Sequence, residues 1–269
     1  MSTFNYIPEK KSNGFKCVII TRYNEKVDWI NYIIDQVDQV IIYNKGPNDD
    51  MFKEYNPPAK VIIKRLPNIG RIDHTLAYHI LENWDNLPDT LINLPGSILM
   101  CLKKGHYLNA MRKRFDIVKE RYKGFYSPRF YKVNPSTFNY TIDNYQAEGY
   151  CNRNNNPFVK SEYTDFRTWK EAIIDTRPIR YIGMRGMFIV SKENIQFINK
   201  EVYQNLLTSL SVGDNIENGH FAERIWAHLF RQYSFDVMKT ERPERNITES
   251  DPPHPAFIET TDESEPIDG

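Results

Sequence analysis

Within its first seventy residues the chain carries three short, mostly β-branched apolar runs, and each ends in a polar cluster. Cys17-Val18-Ile19-Ile20 stops at Thr21-Arg22-Tyr23-Asn24-Glu25. Val40-Ile41-Ile42-Tyr43 stops at Asn44-Lys45-Gly46, and Val61-Ile62-Ile63 leads into Leu66-Pro67-Asn68-Ile69-Gly70-Arg71. Runs of this kind alternating with a helix predict parallel strands buried on both faces, hence an α/β fold. Open α/β sheets take their ligands at the carboxyl ends of the strands. Asn, Gly and Pro also make plain turns, but three clusters in succession, each at a strand's carboxyl end, favour a site that could line a crevice for a nucleotide.

The rest of the pattern extends this frame. Strands are expected at Lys16–Thr21, Gln39–Tyr43, Lys60–Arg65 and Thr90–Leu94. A helix is expected from Asn24 or Glu25 to near Gln36, with Val27, Ile30, Ile33 and Ile34 at helical spacing, and a second over Asp73–Asn83. A basic helix is expected over Tyr107–Arg121. Residues 124–166, rich in Asn, Pro and Tyr, read as long loops with one hairpin. Met187-Phe188-Ile189-Val190 reads as a core strand, Lys192 as the start of a helix running toward Leu210, 213–219 as a polar loop, and Phe221–Phe230 as an amphipathic helix. The expected organisation is a polar leader over 1–15, one domain over 16–239 with long middle loops, and an extended or disordered acidic, Pro-rich tail over 240–269.

Charge and cysteines narrow the function. Thirty-five basic residues balance thirty-five acidic ones, which argues against a dedicated nucleic-acid binder. Cys17, Cys101 and Cys151 are too far apart and too few for a disulfide framework or a zinc site. His74 and His79 are five residues apart and form no helical metal pair, and no third ligand suits His220 and His228. The first fourteen residues hold no apolar core, and no stretch approaches the ~18 apolar residues of a membrane span. A cytoplasmic location is the resulting expectation.

The Gly70-Arg71 turn precedes a helix. Free amides and the helix dipole there suit a phosphate, and Arg71 could add a bidentate contact. The spacing matches neither a P-loop nor a dinucleotide fingerprint.

Several segments together carry a resemblance. They are Thr21-Arg22-Tyr23-Asn24-Glu25, Tyr43-Asn44-Lys45-Gly46, Leu66-Pro67-Asn68-Ile69-Gly70-Arg71, His74 with Tyr78, Gly186-Met187-Phe188-Ile189-Val190-Ser191, and Glu223-Arg224-Ile225-Trp226. Over residues 16–231 the chain resembles a family of domains of unknown function related to GT-A-type glycosyltransferases. That resemblance implies a GT-A-like (Rossmann-like), mostly parallel sheet flanked by helices. It also implies a glycosyltransferase that moves a hexosyl or pentosyl group from a nucleotide-sugar donor, a UDP-sugar, to a hydroxyl of a glycan or glycoprotein acceptor with inversion. Thr21, Arg22, Tyr23 and Glu25 would lie beside the nucleoside. Asn44 and Lys45 would flank the base, and Gly70, Arg71, Asp73 and His74 would serve the ribose or diphosphate.

Such enzymes place an Asp-x-Asp for a divalent metal, Mn or Mg, at the end of the fourth strand. Here that stretch is Asn93-Leu94-Pro95-Gly96-Ser97. The resemblance therefore leaves metal dependence open, and Lys103, Lys104, Arg112 or Arg185 could neutralise the leaving diphosphate. Inversion needs a carboxylate to take the acceptor's proton. The 213–220 loop holds Asp214, then Glu217, with His220 and Glu223 as neighbours. Asp214 and Asn215 could equally cap a helix. A non-catalytic glycan- or nucleotide-binding module on the same scaffold is the alternative, and a nucleotidyltransferase is a third.

Overall fold

A computed structural model of the chain describes residues 14–47, 58–99, 102–116, 124–144 and 158–230. Four strands, β1 (Lys16–Arg22), β2 (Gln39–Asn44), β3 (Val61–Arg65) and β4 (Thr90–Pro95), run parallel. β5 (Phe125–Tyr126) and β8 (Phe188–Ser191) complete a six-stranded sheet in the order β3-β2-β1-β4-β8-β5, with β8 antiparallel to both neighbours. β6 (Phe130–Lys132) and β7 (Tyr181–Gly183) form a separate antiparallel pair. The helices are α1 (Arg71–Glu82), α2 (Leu102–Arg112), α3 (Pro135–Phe138), α4 (Phe166–Ile173), α5 (Lys192–Gln196), α6 (Lys200–Leu210) and α7 (Glu217–Phe230). The result is an α/β fold with a mostly parallel sheet flanked by helices, as the strand pattern led one to expect.

Side-chain alternation explains the layering. Ile19, Ile41 and Tyr43 share one core with Leu76, Ala77 and Ile80 of α1, with Leu206 and Leu210 of α6 and with Phe221 and Ile225 of α7. Val18, Ile20, Val40 and Ile42 point to the opposite face and are equally buried. Each such aliphatic side chain contributes about 1.5–3 kcal/mol on burial. The sheet is thus held from both sides, and its carboxyl-end loops sit on a stiff base. Cys17 is a buried core residue, as expected.

Several expectations need correction. Residues 24–36 form no α-helix; two short 3-10 segments, Asp28–Tyr32 and Ile34–Gln36, take their place. Val27, Trp29, Ile30, Ile33 and Ile34 are all buried, and the stretch is dense in β-branched residues that crowd a helix. β3 is not buried on both faces: it lies at the sheet edge, and Ile63, Lys64 and Arg65 are exposed. The basic helix starts earlier than expected and ends at Arg112. Among the described residues of the 124–166 stretch, β5 and β6 do not form a hairpin with each other: β5 pairs with β8 and β6 with β7. The helix toward Leu210 breaks between α5 and α6, where the Asn199 side chain accepts the Glu201 N–H and restarts it. The 213–219 loop is shorter than expected, since α7 already begins at Glu217. The expected tail, most of the leader, Cys101, Cys151 and the side chains of Lys103 and Lys104 lie outside the described residues.

Candidate functional site

The polar tips of the strands are tied to one another rather than scattered. Arg22, at the end of β1, is buried. Its Nε donates to the Glu25 carbonyl at 2.8 Å, and its Nη1 donates to Asn44 Oδ1 at 2.7 Å and to the Tyr23 carbonyl at 3.2 Å. Arg22 and Asn44 therefore lock the loop after β1 onto the end of β2. Glu25 folds back, and its Oε2 accepts the N–H groups of Tyr23 (2.6 Å) and Asn24 (3.1 Å). The ring of Tyr23 is left 40% exposed at the rim. Thr21 Oγ1, just inside, is shielded from solvent and has no hydrogen-bond partner.

Gly46 follows Asn44-Lys45 because no side chain fits there. A β-carbon would stand 1.7 Å from the Tyr23 carbonyl oxygen, and a backbone atom cannot turn aside. Gly46→Ala is expected to destabilise the protein by about 3 kcal/mol, read by urea unfolding; a change below about 0.5 kcal/mol would refute this packing.

Lys45 reaches from the second cluster to the third. It is 6% exposed, and its Nζ donates to the carbonyls of Ile69 and Arg71, both at 2.5 Å. Burial depresses its pKa to about 7, against the nearby Asp73 charge, which raises it. Lys45 thus serves as a clamp on the turn that starts α1. That turn is left-handed at two consecutive residues, Gly70 (φ 55°) and Arg71 (φ 51°). At Gly70 a β-carbon would lie 2.5 Å from the Leu210 carbonyl oxygen, so glycine is required there both by conformation and by space.

The same turn meets the loop before α7. Gly70 N–H donates to the Gly213 carbonyl at 2.7 Å. Arg71 donates from Nη2 to Asn215 Oδ1 at 2.7 Å and from Nε to the Asp214 carbonyl at 3.3 Å. Asn68 Nδ2 donates to Asp214 Oδ2 at 3.1 Å. Residues about 140 apart in sequence thereby share one locus, with Asp214 half-buried beside the start of α1.

Behind this locus, Asp73 is buried and accepts Trp226 Nε1–H at 2.6 Å. Burial pushes its carboxyl up to about 7. The Trp226 bond opposes the rise, Glu223 adds to it, and the Arg71 and Lys45 cations oppose it. His74 stacks on Tyr78 with ring planes 6° apart and has a shielded, unpartnered Nδ1. Burial, then Lys45, pulls its pKa down to about 4. His220 is held at about 4 by burial and by the Arg71 and Arg224 cations. Both imidazoles are therefore neutral at pH 7. Glu217 is placed differently. Its carboxylate is buried and accepts the N–H groups of Ile142 (2.7 Å) and Ser161 (3.0 Å), anchoring the preceding loops.

The structure thus brings Tyr23, Asn44, Lys45, Gly70, Arg71, Asp73 and Asp214 into one connected set. Arg22 and Glu25 act as its internal ties, whereas Glu217 anchors the loops at Ile142 and Ser161. Asn68 and Trp226 complete the set. The sequence marked Asn68 within a turn and Trp226 as an apolar helix position, both inside segments of the resemblance but neither with a role of its own, because bonds spanning 146 and 153 residues leave no local signal.

Near the end of β4, Gly96 leaves no side chain, and the adjacent Glu25 carboxylate already accepts two amides. Among the described residues no group of three or more His, Cys, Asp or Glu could hold an ion. No described helix is long and apolar enough to cross a membrane.

No protein-family model and no curated protein matches this chain. Among solved structures, it is similar to the 4-diphosphocytidyl-2C-methyl-D-erythritolsynthase of Anaerococcus prevotii DSM 20548 at 13% identity and a TM-score of 0.35, over 78% of this chain and 83% of that one. It is also similar to residues 1–349 of S. aureus TarS at 10% identity and a TM-score of 0.33, over 75% of this chain and 57% of that one. Likenesses this remote leave the function to be argued from the site itself.

Proposed function

We propose that the chain is a nucleotide-sugar glycosyltransferase that works without a divalent metal and inverts the transferred centre. The observation that carries this reading is the meeting of Arg71, at the left-handed start of α1, with Asp214 and Asn215. A helix start with an arginine suits a diphosphate, and a carboxylate beside it suits proton removal from an attacking hydroxyl. The donor, a UDP-sugar on this reading, lies across the tips of β1 and β2 with its base near Tyr23 and Lys45. Its diphosphate faces Gly70 and Arg71. An acceptor hydroxyl loses its proton to Asp214 as its oxygen attacks the anomeric carbon, and the bond to the diphosphate breaks. Cationic side chains of the protein match the charge that develops there. The acceptor is a glycan or glycoprotein hydroxyl.

Incubation with a panel of nucleotide-sugars, with and without EDTA, tests this. At least one donor should be turned over, and EDTA should change the rate by less than about twofold. If none is bound or hydrolysed, the reading fails; strong loss with EDTA would overturn its metal-free part. Binding of donor with no turnover toward any acceptor would favour a non-catalytic glycan- or nucleotide-binding module, the reading to which the missing Asp-x-Asp also points.

A further inference from the structure

Among the described residues, two that are not glycine adopt a left-handed backbone, and both are arginines: Arg71 (φ 51°) and Arg185 (φ 71°). Each adjoins a left-handed glycine, Gly70 and Gly186. A β-carbon is strained in that region, and such strain persists where the side chain has a task. Arg71 has one in the site above. Among the described residues, the Arg185 side chain forms no ion pair with a carboxylate. Its guanidinium lies 5.9 Å from the ring centroid of Tyr107, while its backbone N–H donates to Glu223 Oε1 at 2.5 Å.

A second guanidinium flanks the same ring. Arg129 lies 5.5 Å from the Tyr107 centroid and 5.4 Å from that of Tyr131, and its Nη1 donates to Tyr107 Oη at 2.6 Å. Arg129 Nε is shielded and has no hydrogen-bond partner. Tyr131 is 42% exposed, so solvent reaches the cluster. Two guanidiniums about one phenol repel each other, and among the described residues neither is ion-paired with a carboxylate, although the Glu223 carboxylate accepts the Arg185 N–H.

The cluster borders the α1 start. A β-carbon on Gly186 would stand 2.9 Å from Ile72 Cδ1. On the transferase reading the donor's diphosphate takes Arg71 at the α1 start, which leaves this second pair for another anion. We infer that Arg129 and Arg185, set about Tyr107, bind a phosphate-class anion carried by the acceptor, which makes the acceptor a phosphorylated glycan. The acceptor role rests on the transferase reading above; the anion site does not. Planar guanidinium forks suit a phosphate's paired oxygens, and the exposed Tyr131 ring offers a flat face to a sugar.

Calorimetric titration of the full chain with glycerol phosphate and, separately, with UDP tests this in wild type, Arg185→Gly and Arg129→Gln. Arg185→Gly relieves the left-handed strain, so its Tm should be unchanged or higher, and lost binding then cannot reflect misfolding. Glycerol phosphate affinity should fall at least about tenfold in each variant, while UDP affinity changes less than about twofold. Equal loss of UDP affinity would move the pair to the donor's diphosphate and overturn the acceptor assignment. No binding of glycerol phosphate by wild type, or unchanged binding in both variants, would remove the site. Wild type that binds glycerol phosphate but no nucleotide would end the transferase reading and leave the anion site standing.

Discussion

Asp214→Asn is expected to lower kcat by roughly 10²–10⁴-fold while leaving donor affinity within about twofold. Asparagine keeps the size of the side chain and one acceptor oxygen, so the bond from Asn68 Nδ2 survives. The Arg71 contact is made to the Asp214 backbone carbonyl and is indifferent to the substitution. Only the negative charge that takes the acceptor's proton is lost. His220 is a poor substitute: with its pKa near 4 it is neutral at pH 7 but too weak a base to take over. Glu217 cannot stand in either, because both of its carboxylate oxygens already accept backbone amides. Single-turnover kinetics together with donor titration separate the two effects. Unchanged kcat would remove Asp214 from the mechanism, and loss of donor binding would show a positioning role instead.

Lys45→Met should cost about 3 kcal/mol of stability and at least about tenfold in donor affinity. The Ile69 and Arg71 carbonyls would lose their shared donor; the Arg71 carbonyl keeps the bond from Thr75 Oγ1, and an unpaired carbonyl at Ile69 costs about 1–3 kcal/mol. No longer burying a cation offsets part of that. The turn that presents Arg71 would loosen, which is why affinity follows stability. The pH dependence gives a sharper signature. Lys45 has a folded pKa of about 7 against 10.5 unfolded, so between those values the unfolded chain binds more protons and stability rises with pH. Asp73 has a folded pKa of about 7 against 3.8 unfolded, so stability falls as pH rises from 3.8 to 7. His74 and His220, with folded pKa values of about 4 against 6.5 unfolded, raise stability from pH 4 to 6.5 and offset that fall, so the limb that isolates a single group is the Lys45 rise above pH 7. Lys45→Met should lose that rise. Urea denaturation at intervals from pH 7 to pH 10 reads it, and a rise of wild-type size in the variant would show that Lys45 is not its source.

The parallel strands were legible because their signal is local. Val18-Ile19-Ile20, Val40-Ile41-Ile42 and Leu91-Ile92 have no periodic polar break, and a strand covered on both faces needs none. The polar tips were legible for the same reason, and the contacts among Arg22, Asn44 and Lys45 follow directly from the pairing of β1 with β2. The 24–36 segment misled because Val27, Ile30, Ile33 and Ile34 fit helical spacing, while Trp29 is also buried and binds the Gly96 carbonyl through Nε1 at 3.2 Å. Tertiary burial of that ring outweighed the local period.

By itself, the sequence determined the α/β class, the sheet's central strands and the glycine-arginine turn at residues 70–71, because each depends on residues within about ten of one another. Only the tertiary structure decided that Lys45 clamps that turn, that Asp214 stands beside Arg71, that Glu217 is an anchor, and that Arg129 and Arg185 share one ring. Those juxtapositions arise from packing α1 against α6 and α7 and from pairing β6 with β7, which are contacts between segments far apart along the chain. A one-dimensional pattern carries the faces of an element but not which distant face it will meet.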